Sequence, residues 1–145
     1  MSTPSTIYYT ASQLKTVKSV DYDTEIVSCL AYKQMQQAVT YSNSALSSTV
    51  GNIYYDISVL KIPNGSVNTA YDCETGYIFW NTSTGSNNDS IVFNAPLFNP
   101  STTSVFAPGT YQFPILGGTG AYLGATGYVQ IIVASSGLRT VTFSS

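Results

Sequence analysis

The amino-acid sequence predicts an all-β protein, a single antiparallel β-barrel of about eight strands. Three observations lead there. Apolar residues recur with a period of two through most of the chain, turn-forming clusters separate the runs, and no helical segments alternate with the strands as a parallel sheet requires. At 145 residues the chain reads as one domain, with residues 1–20 an N-terminal arm or first short strand and 21–145 the barrel. Closure into a ring also hides strand edges, which a chain with only 8% charged residues has few means to protect.

Taken in order, the polar N-terminal stretch offers "TIYYT" as a first short strand. "CLAYKQMQQAV" (29–39) contains good helix formers, but its neighbours "TEIVS" and "VTY" favour strand, so 24–41 reads as mostly extended. In "GNIYYDISVLKI" (51–62), Ile53, Tyr55, Ile57 and Val59 share one face, while Tyr54, Asp56, Ser58 and Leu60 share the other. "TAYDCETGYIFW" (69–80) alternates likewise, with Tyr71, Cys73, Thr75, Tyr77 and Phe79 opposing Ala70, Asp72, Glu74 and Ile78. Asn64-Gly65 lies between them and makes 51–80 a β-hairpin. "NTSTGSNND" (81–89) is a loop by composition, and "SIVFN" and "TSVFA" are short strands punctuated by Pro96, Pro100 and Pro108. "TYQFPI" (110–115) places Tyr111, Phe113 and Ile115 on one side. "AYLGATGYVQIIVA", a turn at Ser135-Ser136-Gly137 and "LRTVTFSS" complete the meander.

Charge narrows the function classes. A net charge of −2 with five scattered cations, Lys15, Lys18, Lys33, Lys61 and Arg139, leaves no basic footprint for nucleic acid. The chain has no His, which removes the commonest metal ligand and neutral-pH base together with any Ser-His-Asp or Cys-His arrangement. Cys29 and Cys73 have neither metal nor redox-motif spacing and stand either as two thiols or as a disulfide. Nothing implies a metal or a cofactor. No apolar run approaches the roughly 20 residues of a membrane helix. The N-terminus lacks the charged start and apolar core of a secretory leader. The expected location is therefore the cytoplasm, or a particle or fibre assembled after cytosolic synthesis. Polarity comes instead from 20 Ser, 18 Thr and 9 Asn, beside 12 Tyr. Such a surface resists self-association less well than a charged one, so a homo-oligomer, trimeric or larger, is expected.

Gly117, Gly118, Gly120, Gly124 and Gly127 crowd the stretch "PILGGTGAYLGATGYVQIIV" (114–133). A phosphate loop needs a Lys that is missing, and a dinucleotide fingerprint needs a following helix where "ATGYVQIIV" is rich in β-branched residues. A strand-to-strand corner remains, with Gly117, Gly118 and Gly120 supplying positive φ. Gly124 and Gly127 would make room for a neighbouring backbone or for sharp curvature. The run resembles the corner of allene oxide cyclase-like barrels. Dirigent proteins carry a similar GGTG-x-F-x-x-A-R-G run, and spirotetronate cyclase-type barrels a similar S-G-x-Y-L-G-x-T-G run. Gly118, Gly120, Tyr122, Leu123, Gly124, Thr126 and Gly127 fit the latter best. The likeness covers residues 110–145, and the dirigent Arg falls at Thr126. The resemblance implies an eight-stranded barrel, often trimeric, whose apolar lumen holds a flexible hydrophobic molecule in one reactive shape.

A barrel of that kind works as a non-redox cyclase mainly by restricting conformers, helped by one hydroxyl or carboxyl that polarises a carbonyl. Tyr122, directly after the corner, and Asp56, amid apolar neighbours, are the catalytic candidates, against packing and solvation as their ordinary roles. Trp80, Phe79 and Glu25 are candidates for lining a ligand site, with Asp72 and Glu74 sharing the ambiguity of Glu25. The rival reading is a non-catalytic structural protein whose tyrosine-rich barrel self-assembles into an oligomer, virion or fibre.

Overall fold

A computed structural model describes residues 6–21, 30–60, 71–81, 89–98 and 108–144. Nine strands run in chain order: β1 (Ile7–Thr10), β2 (Lys15–Asp21), β3 (Leu30–Tyr41), β4 (Thr49–Leu60), β5 (Tyr71–Trp80), β6 (Ser90–Phe98), β7 (Gly109–Thr119), β8 (Tyr128–Val133) and β9 (Leu138–Ser144). Each pairs antiparallel with its neighbour from β2 through β9. β1 then pairs with both β9 and β3, which closes the sheet into a barrel. β1 and β2 run along the same edge of β3, separated by a 3₁₀ turn at Ala11–Gln13, and so share one position in an eight-membered ring. The segment with helix formers is strand throughout its described part, β3. Its pairing to β4 from Leu30↔Leu60 to Tyr41↔Thr49 outweighs local propensity.

The period-two reading of β4 holds over its described side chains. Ile53, Tyr55 and Ile57 are buried, and Asn52, Tyr54, Asp56 and Ser58 alternate with them on the outer wall. Register then propagates the inward face. Ile53 faces Ile78, Ile57 faces Glu74, and Ile78 faces Ile91. Among the described residues, sixteen buried side chains from eight strands, Ile7, Phe93, Phe113 and Val141 among them, form one cluster inside the ring. At about 1.5–3 kcal/mol for each large apolar side chain withdrawn from water, this interior is the main source of stability. The Asn64-Gly65 turn, "TSVFA" and Cys29 lie outside the described residues.

At the glycine corner, β7 ends at Thr119, a single 3₁₀ turn spans Gly120–Tyr122, and β8 begins at Tyr128. The corner is a strand-to-strand connection, but its glycines divide the work differently from the expectation. Gly120, Gly124 and Gly127 hold positive φ, at 61°, 78° and 97°. Gly117 and Gly118 lie within β7, with φ outside that range. Gly118, not Gly124, is the position of close approach. A Cβ there would stand 2.5 Å from the Tyr122 carbonyl oxygen and 2.7 Å from that of Ser90, whereas Gly124 has nothing within 4 Å. A bulge at Leu116, between the pairs Phe93↔Ile115 and Val92↔Gly117, precedes the corner and bends β7 into it. Among the described residues, no helix is long and apolar enough to cross a membrane.

Candidate functional site

A strand that alternates strictly sends every second residue into the barrel, whatever its chemistry. In β9 the phase set by Val141 and Phe143 carries Arg139 inward, and in β5 the phase set by Gly76 and Ile78 carries Glu74 inward. Both are 3% exposed. Tyr9, in phase with Ile7 on β1, and Tyr55, between Ile53 and Ile57 on β4, are fully enclosed beside them. Tyr9 and Arg139 are cross-strand partners. Arg139 Nη1 donates to the Tyr9 hydroxyl at 3.1 Å, and the guanidinium carbon lies 5.4 Å from the centre of the Tyr9 ring. The Tyr9 and Tyr55 hydroxyls share a further hydrogen bond, which links β9, β1 and β4 through the interior. The Tyr55 ring then meets Phe93 edge-on at 6.0 Å, and Phe93 stacks with Phe113 at 6.2 Å. A polar centre is thereby set in an aromatic and aliphatic wall.

The electrostatics follow from enclosure. Burial raises the Tyr9 phenol above its usual range, with Arg139 pulling the other way. Burial pushes Tyr55 up further, and the neighbouring Tyr9 adds to the shift. Both are therefore neutral donors at ordinary pH. Burial works against the Arg139 cation, but Tyr9, Tyr55 and Glu74 outweigh it and hold the guanidinium above its normal value. The cluster combines a cation, a hydrogen-bonded pair of phenols and a carboxylate, the kinds of group that bind and polarise a carbonyl or relay a proton.

The five residues singled out from sequence separate. Trp80 and Tyr122 come together, with ring centres 4.5 Å apart, and Phe143 lies 5.5 Å from Trp80. These three rings cluster at the end of the barrel at which β5 and β9 finish. Burial and the nearby Asp89 carboxylate raise the Tyr122 phenol. Asp56 is on the outer wall, facing Met35 and Thr75 of the adjacent strands; the phase of Tyr55 and Ile57 excludes it from the interior, and the inward carboxylate is Glu74. Phe79 is also outside, edge-on to Tyr54 at 5.6 Å. Glu25 lies outside the described residues. Thr126, at the dirigent Arg position, is exposed. Among the described residues no group of three or more His, Cys, Asp or Glu side chains gathers as a metal site.

The sequence reading missed Arg139, Tyr9 and Tyr55. The available signal was a polar residue in phase with the apolar members of its own strand, as in "LRTVTF" and "NIYYDIS".

No family model matches the chain, and no curated protein matches it. Among solved structures, pyocyanin demethylase is similar with a TM-score of 0.58 over 95% of this chain and 96% of that one, at 11% identity. At that identity the likeness shows a shared barrel fold.

Proposed function

We propose that the protein is a small-molecule barrel whose ligand meets Glu74, Tyr9, Tyr55 and Arg139 in the lumen, and that it acts as a non-redox cyclase or isomerase. The observation that carries the reading is the burial of Arg139 and Glu74, each 3% exposed, inside an apolar ring. Withdrawing an ion from water costs several kcal/mol even after relaxation, and such groups collect where chemistry needs them. Tyr55, kept protonated by burial, is the donor to a ligand oxygen. Glu74 takes or returns a proton, and Arg139 fixes Tyr9 and steadies negative charge. Proton transfer of this kind contributes about 10²–10⁴-fold, and conformer restriction supplies the larger share, up to about 7–11 kcal/mol.

The test is a thermal-shift and native-mass screen of neutral apolar carbonyl compounds on the wild type, Tyr55→Phe and Glu74→Gln. Carbonyl ligands that stabilise the wild type and lose at least tenfold in affinity in both variants support the reading. Equal binding to all three chains, or no binding by any compound, overturns it.

A structural assembly role has its own support in the outer wall. Leu116 and Leu123, flanking the glycine corner, are 61% and 80% exposed, and Val17 on β2 is 57% exposed. Apolar side chains at such exposure suit contact with another copy. Native masses that grow without limit as concentration rises favour assembly, whereas a discrete trimer is compatible with the cyclase.

A further inference from the structure

The outer wall holds a groove of its own, away from the barrel interior. Outward residues of β3, β4 and β5, namely Met35, Asn52, Tyr54, Tyr77 and Phe79, together with Asn81 just past β5, line an open groove of about 480 Å³. That volume is within the usual range for small-molecule sites. Register builds it. Asn52 faces Phe79 and Tyr54 faces Tyr77, so an amide–ring row lies beside a row of two phenols. Gln37 on β3 donates to Asn52 Oδ1 at 3.3 Å and so orients the Asn52 amide.

We propose that this groove binds a neutral saccharide. Among the described residues no charged side chain lines it, which favours a neutral ligand. Tyr54, Tyr77 and Phe79 supply aromatic surface, and aromatic faces are electron-rich, the complement of the polarised C–H face of a pyranose. Asn amides both donate and accept, and so do phenols, which matches hydroxyls that do the same. A purely apolar ligand would strip water from two amides and two phenols and return no hydrogen bonds. A ligand that is apolar on its faces and hydroxylated around its rim satisfies both kinds of lining. Phe79, expected from sequence to line a ligand site, lines this groove on the outside of the ring.

The test is glycan-array and saturation-transfer NMR binding of neutral gluco-, galacto- and manno-oligosaccharides, with sialylated and sulfated sugars alongside, on the intact chain. The expected result is binding of at least one neutral class, weakened at least tenfold by Tyr77→Ala and retained by Gln112→Ala on β7. Asn81→Ala, at an exposed position, gives the same reading without disturbing the wall. Absence of neutral-sugar binding at millimolar concentration overturns the proposal, as does an equal or stronger response to acidic sugars. Conversion of an oligomer to monomers by Tyr77→Ala also overturns it, because the groove is then a subunit interface.

Discussion

Replacing Arg139 by Met removes the buried guanidinium that donates to Tyr9 and is favoured electrostatically by the buried Glu74 carboxylate. Deleting one member of a buried charged set costs about 3–5 kcal/mol, since the remaining charge is left without its counterpart. Unfolding entropy of about 2.1 cal/mol/K per residue over 145 residues amounts to ~0.3 kcal/mol/K, so the midpoint should fall by about 10–16 °C. The double variant Arg139→Met with Glu74→Met removes both charges and leaves apolar groups of similar length. It should recover much of that loss, because replacing both partners is far less costly than replacing one. The assay is urea and thermal unfolding followed by emission of the single tryptophan, Trp80, which reports on its packing against Tyr122 and Phe143. A single variant within about 1 kcal/mol of wild type, or a double variant losing the sum of the two singles, refutes the coupling. Under the proposed function the double variant folds yet no longer binds the carbonyl ligand, which separates the cost of the charges from their use.

Two further outcomes follow from the geometry. Gly118→Ala should destabilise by about 1–3 kcal/mol and shift Trp80 emission, because the added methyl meets the Tyr122 and Ser90 carbonyls at 2.5 and 2.7 Å; Gly117→Ala meets nothing within 4 Å and should stay within about 0.5 kcal/mol, and equal effects in denaturation would refute the assignment. Burial raises the Tyr9 and Tyr55 phenols in the folded state, so above pH about 10 the unfolded chain loses protons that the folded one keeps. Stability must then fall as pH rises through that window, by up to about 1.4 kcal/mol per pH unit for each phenol. Tyr55→Phe should flatten the decline in urea midpoints between pH 8 and 11.5, and parallel curves would contradict it.

The barrel and much of its wall were legible in sequence because alternation is local. Ile53, Tyr55 and Ile57 announce a shared face, and the glycine run announces a corner followed by a strand. Which side of β5 faces inward was harder to see. Tyr77 and Phe79 look like core, yet they lie outside, and Glu74 is inward because register sets it opposite Ile57. Phase alone marks Arg139, Tyr9 and Tyr55 as inward, but only closure of the ring brings β1, β9 and β4 close enough for their hydrogen bonds. The roles of Gly117 and Gly118, unlike that of Gly120, were misassigned because a backbone φ depends on where the strand ends. β7 runs two residues beyond Gly117, to Thr119.

The seam where β1 sits between β9 and β3 has a kinetic cost. Arg139 and Tyr9, which meet there, are 130 positions apart, and contacts of such separation make folding slow. On the ribosome, β1 emerges before all the other strands and reaches its final place only once β9 has followed it. Until then both lips of the unfinished sheet can hybridise with those of a sister chain, so reciprocal exchange of β1 between nascent copies is the characteristic misfolding hazard of this architecture.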